Sequence, residues 1–174
     1  MRRPCFVFLA PLLLAALLAA PARGQGLTAD VSDNLVAITT GFTGTSILIF
    51  GALTDPGEVV VVVRGPARPE KLYRKSPVLG VWLNSASRSF PQVPSFYALA
   101  SSGPLDEIAT EGERERLQLG RDQLELRAAG RASPNLQDEW RQALIRAKVR
   151  DDLYQVDVGR ITLMSDQLFR VSFN

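Results

Sequence analysis

The chain has 174 residues, with 20 Lys+Arg against 18 Asp+Glu, no histidine and a single cysteine, Cys5. The missing imidazole excludes Ser-His-Asp and Cys-His nucleophilic sites, and the histidine-based zinc, copper and haem sites with them. The only lysines are Lys71, Lys75 and Lys148, and none has a serine three residues before it, which removes the common Ser-Lys spacing.

At the N-terminus Arg2 and Arg3 precede an uncharged apolar stretch over residues 5–20, followed by the small-x-small triplet Ala20-Pro21-Ala22. This order predicts a secretory signal over residues 1–22, cut behind Ala22. The rival reading is an uncleaved anchor, but a span wants about 20 apolar residues; this run is shorter and carries Pro11. Cys5 stands at the start of the apolar region and not after it, so it is not a lipoprotein cysteine. Cleavage removes Arg2, Arg3 and Cys5 and leaves 18 basic against 18 acidic side chains. Disulfides and thiolate metal sites go with the cysteine, and the basic balance that would favour nucleic acid goes with the arginines. Residues 23–174 are predicted to form one exported domain, long enough to bury a core without staples.

Strand signals dominate the first half. Residues 35–39 and 46–50 are β-branched and aromatic runs separated by turn-like glycines at Gly41 and Gly44. Thr54-Asp55-Pro56-Gly57 is a turn by its chemistry. The run Val59 to Val63 has no polar alternation, which predicts a strand buried on both faces. Further strands are expected over residues 78–84 and 95–100, with breaks at Pro69, Pro77, Pro91 and Pro94. Composition then changes. A short helix start is read at residues 104–108, and a charged stretch over residues 111–120. The firmest helix runs from Pro134 to about Leu153, with Ser133 as N-cap and an apolar stripe of Leu136, Trp140, Ala143, Leu144 and Ala147. Strands over residues 159–163 and 168–173 close the chain, the last with Phe169, Val171 and Phe173 on one face. The fold class expected is mainly β: a β-sandwich, the immunoglobulin-like arrangement among its forms, with a helical insertion around residues 104–153. Because Asn174 follows an apolar strand directly, a chain incomplete at its C-terminus is expected.

Several phrases together resemble an uncharacterised family of predicted transmembrane proteins of alphaproteobacteria. They are Phe42-Thr43-Gly44-Thr45 leading into Phe50-Gly51-Ala52-Leu53, the valine run into Arg64-Gly65-Pro66, and Gly80-Val81-Trp82-Leu83-Asn84. Pro94-Ser95-Phe96-Tyr97-Ala98-Leu99-Ala100-Ser101 and Trp140-Arg141-Gln142-Ala143-Leu144-Ile145-Arg146 complete the set. The resemblance implies longer relatives that run on through further strands to a C-terminal membrane helix, and so an inner-membrane association of this domain. It supplies no catalytic residues.

Carboxylates are the strong acid-base groups that remain. Asp106, Glu107, Glu111, Glu113 and Glu115 are candidates for a paired-acid site on an envelope polysaccharide, or for a solvated helix face, since Arg114 and Arg116 alternate with them. Asp151, Asp152 and Asp157, like Asp30 and Asp33, fit no standard calcium loop. Gly41 and Gly44 lack the Gly-Lys-Ser/Thr ending of a phosphate loop. A possible interaction surface is assigned to Trp82, Phe96, Tyr97, Arg64 and Arg74, with core packing as the ordinary reading of the three aromatics. Arg64, Arg68, Arg74 and Lys75 are also candidates for a basic rim toward lipid headgroups. No catalytic residue, cofactor or metal is assigned. The expectation is a non-catalytic periplasmic domain that binds a membrane protein partner, with a carboxylate hydrolase or a small-ligand binding domain as alternatives.

Overall fold

The computed structural model describes residues 26–32 and 46–173; the signal peptide over residues 1–22, the strand over 35–39 and the glycines of 41–44 lie outside them. Nine strands and three α-helices follow in order: β1 (Leu27–Val31), β2 (Ile47–Leu53), β3 (Val60–Arg64), β4 (Ala67–Val78), β5 (Val81–Pro94), β6 (Tyr97–Ser101), α1 (Leu105–Ile108), α2 (Glu111–Leu117), α3 (Pro134–Arg150), β7 (Gly159–Arg160), β8 (Thr162–Leu163) and β9 (Leu168–Phe173). The protein is mainly β, as the sequence predicts, in several sheets with a few helices.

Two sheets pack face to face. One has the order β1-β2-β9-β8, the other β3-β6-β7. Between them lie Val59, Ala98, Ala100, Ile161, Phe169, Val171 and Phe173, with Ile49, Leu53, Val61 and Val63 packed alongside. The opposite face of the three-stranded sheet supports a second core. There Tyr97, Leu99, Val60 and Val62 meet Trp140, Leu144 and Ile145 of α3, with Leu124 and Leu126 closing the side. The valine run is therefore divided residue by residue, odd positions to one core and even positions to the other, which is why it shows no polar alternation. The pair β6–β7 runs parallel, a feature that an all-antiparallel immunoglobulin sheet lacks.

The stretch over residues 159–163 is expected as one strand but serves both sheets. β7 pairs with β6 and β8 with β9, and Ile161 at the crossing is buried while its N–H donates to the Ser101 carbonyl at 3.0 Å. Helix α3 begins as read, on Ser133, whose hydroxyl accepts from the Leu136 N–H. It ends at Arg150 rather than near Leu153, because Asp152 takes a left-handed φ of 54°. Its buried line is Trp140, Leu144, Ile145 and Lys148, turned slightly from the stripe expected.

The largest departure from the expectation is the hairpin. β4 and β5 span 12 and 14 residues and run through Pro69, Pro77, Pro91 and Pro94, all read as breaks. The pair forms a two-stranded sheet of its own, so both outer edges need no N–H partner and proline is tolerated there. Pro69 and Pro91 fall at a register shift between Arg68 and Glu70, and a second shift accommodates Ser85.

Gly51 marks the tightest point of the sandwich. A Cβ there would stand 2.5 Å from the Thr28 carbonyl and 2.7 Å from the Phe169 ring, which lies directly across the strand pair. Gly51→Val is expected to destabilise the fold by about 1–3 kcal/mol through overpacking. Thermal denaturation followed by circular dichroism checks this.

Candidate functional site

The five residues assigned to an interaction surface fall in four different places. Tyr97 is only 2% exposed and is a core residue. Its hydroxyl donates to the Gln118 carbonyl at 2.9 Å and accepts from the Gly120 N–H at 2.7 Å. Arg64 sits over the same ring, 5.8 Å from its centroid, and donates to the carbonyls of Leu117 and Gln118. Those carbonyls end α2, so the pair closes a helix C-terminus that would otherwise leave acceptors unpaired. Burial pushes the Tyr97 hydroxyl above its usual pKa, against the opposing pull of the Gly120 N–H and Arg64. Phe96 is half-buried and packs against the core between the sheets.

Arg74 belongs to a third place. Its guanidinium lies 4.9 Å from the Trp140 ring centroid and ion-pairs with Glu139 of α3. Nearer the base of the stem, Lys148 of α3 reaches Glu70 of β4 at 2.6 Å, with the lysine side chain 8% exposed. Ala129 donates its N–H to the Ser89 carbonyl, and the Tyr154 hydroxyl donates to that of Pro94. Leu72, Phe90 and Val93 enter the core. The base of the hairpin is thus fixed to the body by apolar burial and by two ion pairs.

Trp82 occupies a fourth place, beyond all of these contacts, at 66% exposure. It is opposite Pro77, one pair from the two-residue turn Leu79-Gly80. Val78, Leu79, Val81 and Leu83 are exposed around it, Leu79 completely. The sequence singled out Trp82 but not its neighbours. The signal available was the apolar run on both sides of Gly80, which an ordinary reading assigns to a core.

A second apolar area, on the outer face of the four-stranded sheet, was not anticipated. Alternation along β2 and β9 sends Ile49, Phe169 and Val171 inward, and leaves Leu48, Phe50 and Leu168 outside. With Ala52 and Met164 they line a shallow groove of about 480 Å³. Asp30 and Arg170, one on each strand flanking Phe50, supply its charged residues.

The acidic candidates are placed apart from both areas. Asp106 and Glu107 stand in the first turn of α1, Glu111 and Glu113 in that of α2. Glu113 completes a capping box: its carboxylate accepts from the Thr110 N–H and hydroxyl, which holds its pKa below the usual value. Asp151 pairs with Arg150 at 3.1 Å. Among the described residues, no three His, Cys, Asp or Glu side chains come together in a way that would hold a metal ion. Among the same residues, no helix is long and apolar enough to cross a membrane.

These features define a mainly β domain with two exposed apolar areas, one on a sheet face and one at a hairpin tip. The chain belongs to the alphaproteobacterial family described as "Putative transmembrane protein (Alph_Pro_TM)", whose profile matches residues 26–174. No curated protein and no solved structure matches it.

Tyr154, buried between β6 and α3, has its hydroxyl pushed up to about 12 by burial, with Glu70 adding in the same direction. Its folded pKa lies above the ordinary 10.0, so its contribution is complete below pH 10 and is lost as pH rises toward 12. Urea titrations across that window are expected to show falling stability in the wild type. Tyr154→Phe is expected to show a shallower fall, from a starting stability lower by about 1 kcal/mol through the lost hydrogen bond.

Proposed function

We propose that this chain is the exported, non-catalytic domain of an inner-membrane-associated protein, and that it works in the periplasm by binding a partner protein. The observation that carries the reading is the apolar outer face of the four-stranded sheet. Soluble monomers seldom leave large aromatic and aliphatic side chains together in water, and contiguous patches of this kind mark contact sites. Phe50 at its centre is an aromatic anchor of the sort that carries interface energy, and Asp30 and Arg170 beside it would fix orientation. The groove is in the volume range of small-ligand sites. It is open to solvent and lies on a sheet face, so an extended protein surface covers it better than a small molecule would.

The sequence supports the non-catalytic part of the reading: the chain has no histidine, and its lysines lack the serine spacing of a dyad. The arginine-flanked leader supports export. Membership of a putative transmembrane family supports the membrane association.

The test is photo-crosslinking in native membranes from a reactive phenylalanine analogue at position 168, beside Phe50 on the same face. One membrane protein captured in stoichiometric amount, and lost in the Phe50→Asp variant with its melting temperature retained, is the expected result. Capture that is indifferent to Phe50→Asp, or no capture at all, overturns the reading.

A further inference from the structure

We propose that the tip of the β4–β5 hairpin inserts into the interfacial region of an anionic lipid bilayer. This surface is separate from the sheet face described above, and the two assignments stand or fall independently.

Four observations converge on the tip. First, residues 78–83 are apolar apart from Gly80, and among them Leu79 is 100% exposed. Among the described residues nothing packs on this end, although a bare two-stranded hairpin gains little stability in water.

Second, the turn itself is occupied against backbone preference. Leu79 has a φ of 51° and Gly80 a φ of 83°, so both central residues are left-handed, as a type I′ turn requires. Asn, Asp or Gly relieves that conformation at the first position, whereas a bulky aliphatic residue is strained there. The apex therefore carries the most apolar choice at a position where a polar one would be more stable, and water gives no reason for that choice.

Third, the side chains change in a fixed order away from the apex. At about 3.4 Å per residue, the apolar tip from Leu79 back to Trp82 is about 7–10 Å deep, the depth to which interfacial segments bury. Trp82 stands at the edge of this zone, where the amphipathic indole prefers the headgroup boundary. Ser76 and Leu83 follow as the next pair, then Lys75 opposite Asn84, then Arg74, with Lys71 further back toward the base.

Fourth, the charge is of one sign. Residues 71–88 contain Lys71, Arg74, Lys75 and Arg88 and no Asp or Glu. Arg74 is held by Glu139 and Trp140, but among the described residues Lys75 and Lys71 form no ion pair. Lys75, about 14 Å along the strand from Leu79, stands just behind the apolar tip at the level where anionic headgroups would meet it, and a lysine near such a surface adds to the attraction. A protein groove could receive the apolar tip, but it would not call for a lysine without an ion pair behind a tip whose own segment, residues 71–88, carries no acid. The stem ion pairs and the buried Phe90 and Val93 make the hairpin a stiff probe, not a loop that must order on contact.

The test uses the full chain with two kinds of vesicle, pure phosphatidylcholine and an equal mixture of phosphatidylcholine and phosphatidylglycerol. Trp82 reports directly, since the other tryptophan, Trp140, is buried against the body. Its contribution is obtained as the difference from Trp82→Phe. The expected result on the anionic vesicles is a blue-shifted Trp82 emission that brominated lipid tails quench. Leu79→Asp is expected to weaken this signal at least about ten-fold, with an unchanged or higher melting temperature because Asp relieves the turn. Lys75→Glu is expected to weaken it and to flatten its salt dependence. Absence of Trp82 quenching on the anionic vesicles overturns the proposal, as does quenching that survives Leu79→Asp. A tip that stays unquenched on vesicles yet crosslinks from position 79 to a membrane protein also overturns it and assigns the tip to a protein.

Discussion

Every layer of this protein is positioned by one strand, β6, which is buried along its whole length and serves two cores at once. Its side chains are sorted by size. Ala98 and Ala100 face the other sheet, where small residues let Phe169 and Phe173 approach and let Gly159 of β7 come within 3.1 Å of the Ala100 side chain, measured from an added Cβ. Tyr97 and Leu99 face the helix, where there is volume to fill. A strand so enclosed must satisfy each backbone group in place. β3 takes one edge, β7 and the Tyr154 bridge take the other, and Ile161 and Leu153 complete the ladder at its ends. The polar tip of Tyr97 is the one demanding group on the helix side. It is met by the turn after α2, which explains why that charged and poorly apolar segment has a fixed position.

The body was legible in the sequence to the extent that burial leaves a period. The uninterrupted valines announced a strand with two buried faces, and β9 showed its inward triplet of Phe169, Val171 and Phe173 directly. Ser133 and Pro134 announced the start of α3. Its C-terminus was less clear, because Asp152 enters a left-handed conformation without glycine to signal it. The division of residues 159–163 between two sheets was not legible at all: a strand that changes partners at Ile161 has the same composition as one that does not.

The hairpin was misread for a related reason. Proline signals a break only if the strand needs its N–H, and a two-stranded ribbon with two free edges needs only alternate ones. Pro77, opposite Trp82, lies one pair from the pair that closes the turn, where the alternation of the ladder turns its nitrogen outward. Turn chemistry was silent too, because Leu-Gly is not the Asn-Gly or Asp-Gly pattern that a tight hairpin advertises. Hence the four prolines read as boundaries in the sequence, while the two longest described strands run through them. Trp82 and Tyr97 show the same ambiguity from the side of the site. Both are aromatic residues within apolar strand patterns, and only the three-dimensional neighbours decide that one is 66% exposed and the other 2%.

That pairing of aromatics also explains how a near-neutral domain can present two different surfaces. Several charges of the body are spent on its own construction: Arg64 on the end of α2, Lys148 on Glu70, Arg74 on Glu139, Glu113 on the start of α2. Each is tied to a particular backbone or partner group and adds little to a long-range field. On the distal hairpin Lys75 forms no ion pair among the described residues, and residues 71–88 hold no acid. The projecting hairpin segment therefore carries charge of one sign, while the apolar groove on the sheet face, with Asp30 and Arg170 offsetting each other, stays electrostatically even. Long-range attraction would thus act at the hairpin and short-range apolar contact at the sheet, and the ion pairs at the hairpin base connect the first to the rigid frame that holds the second.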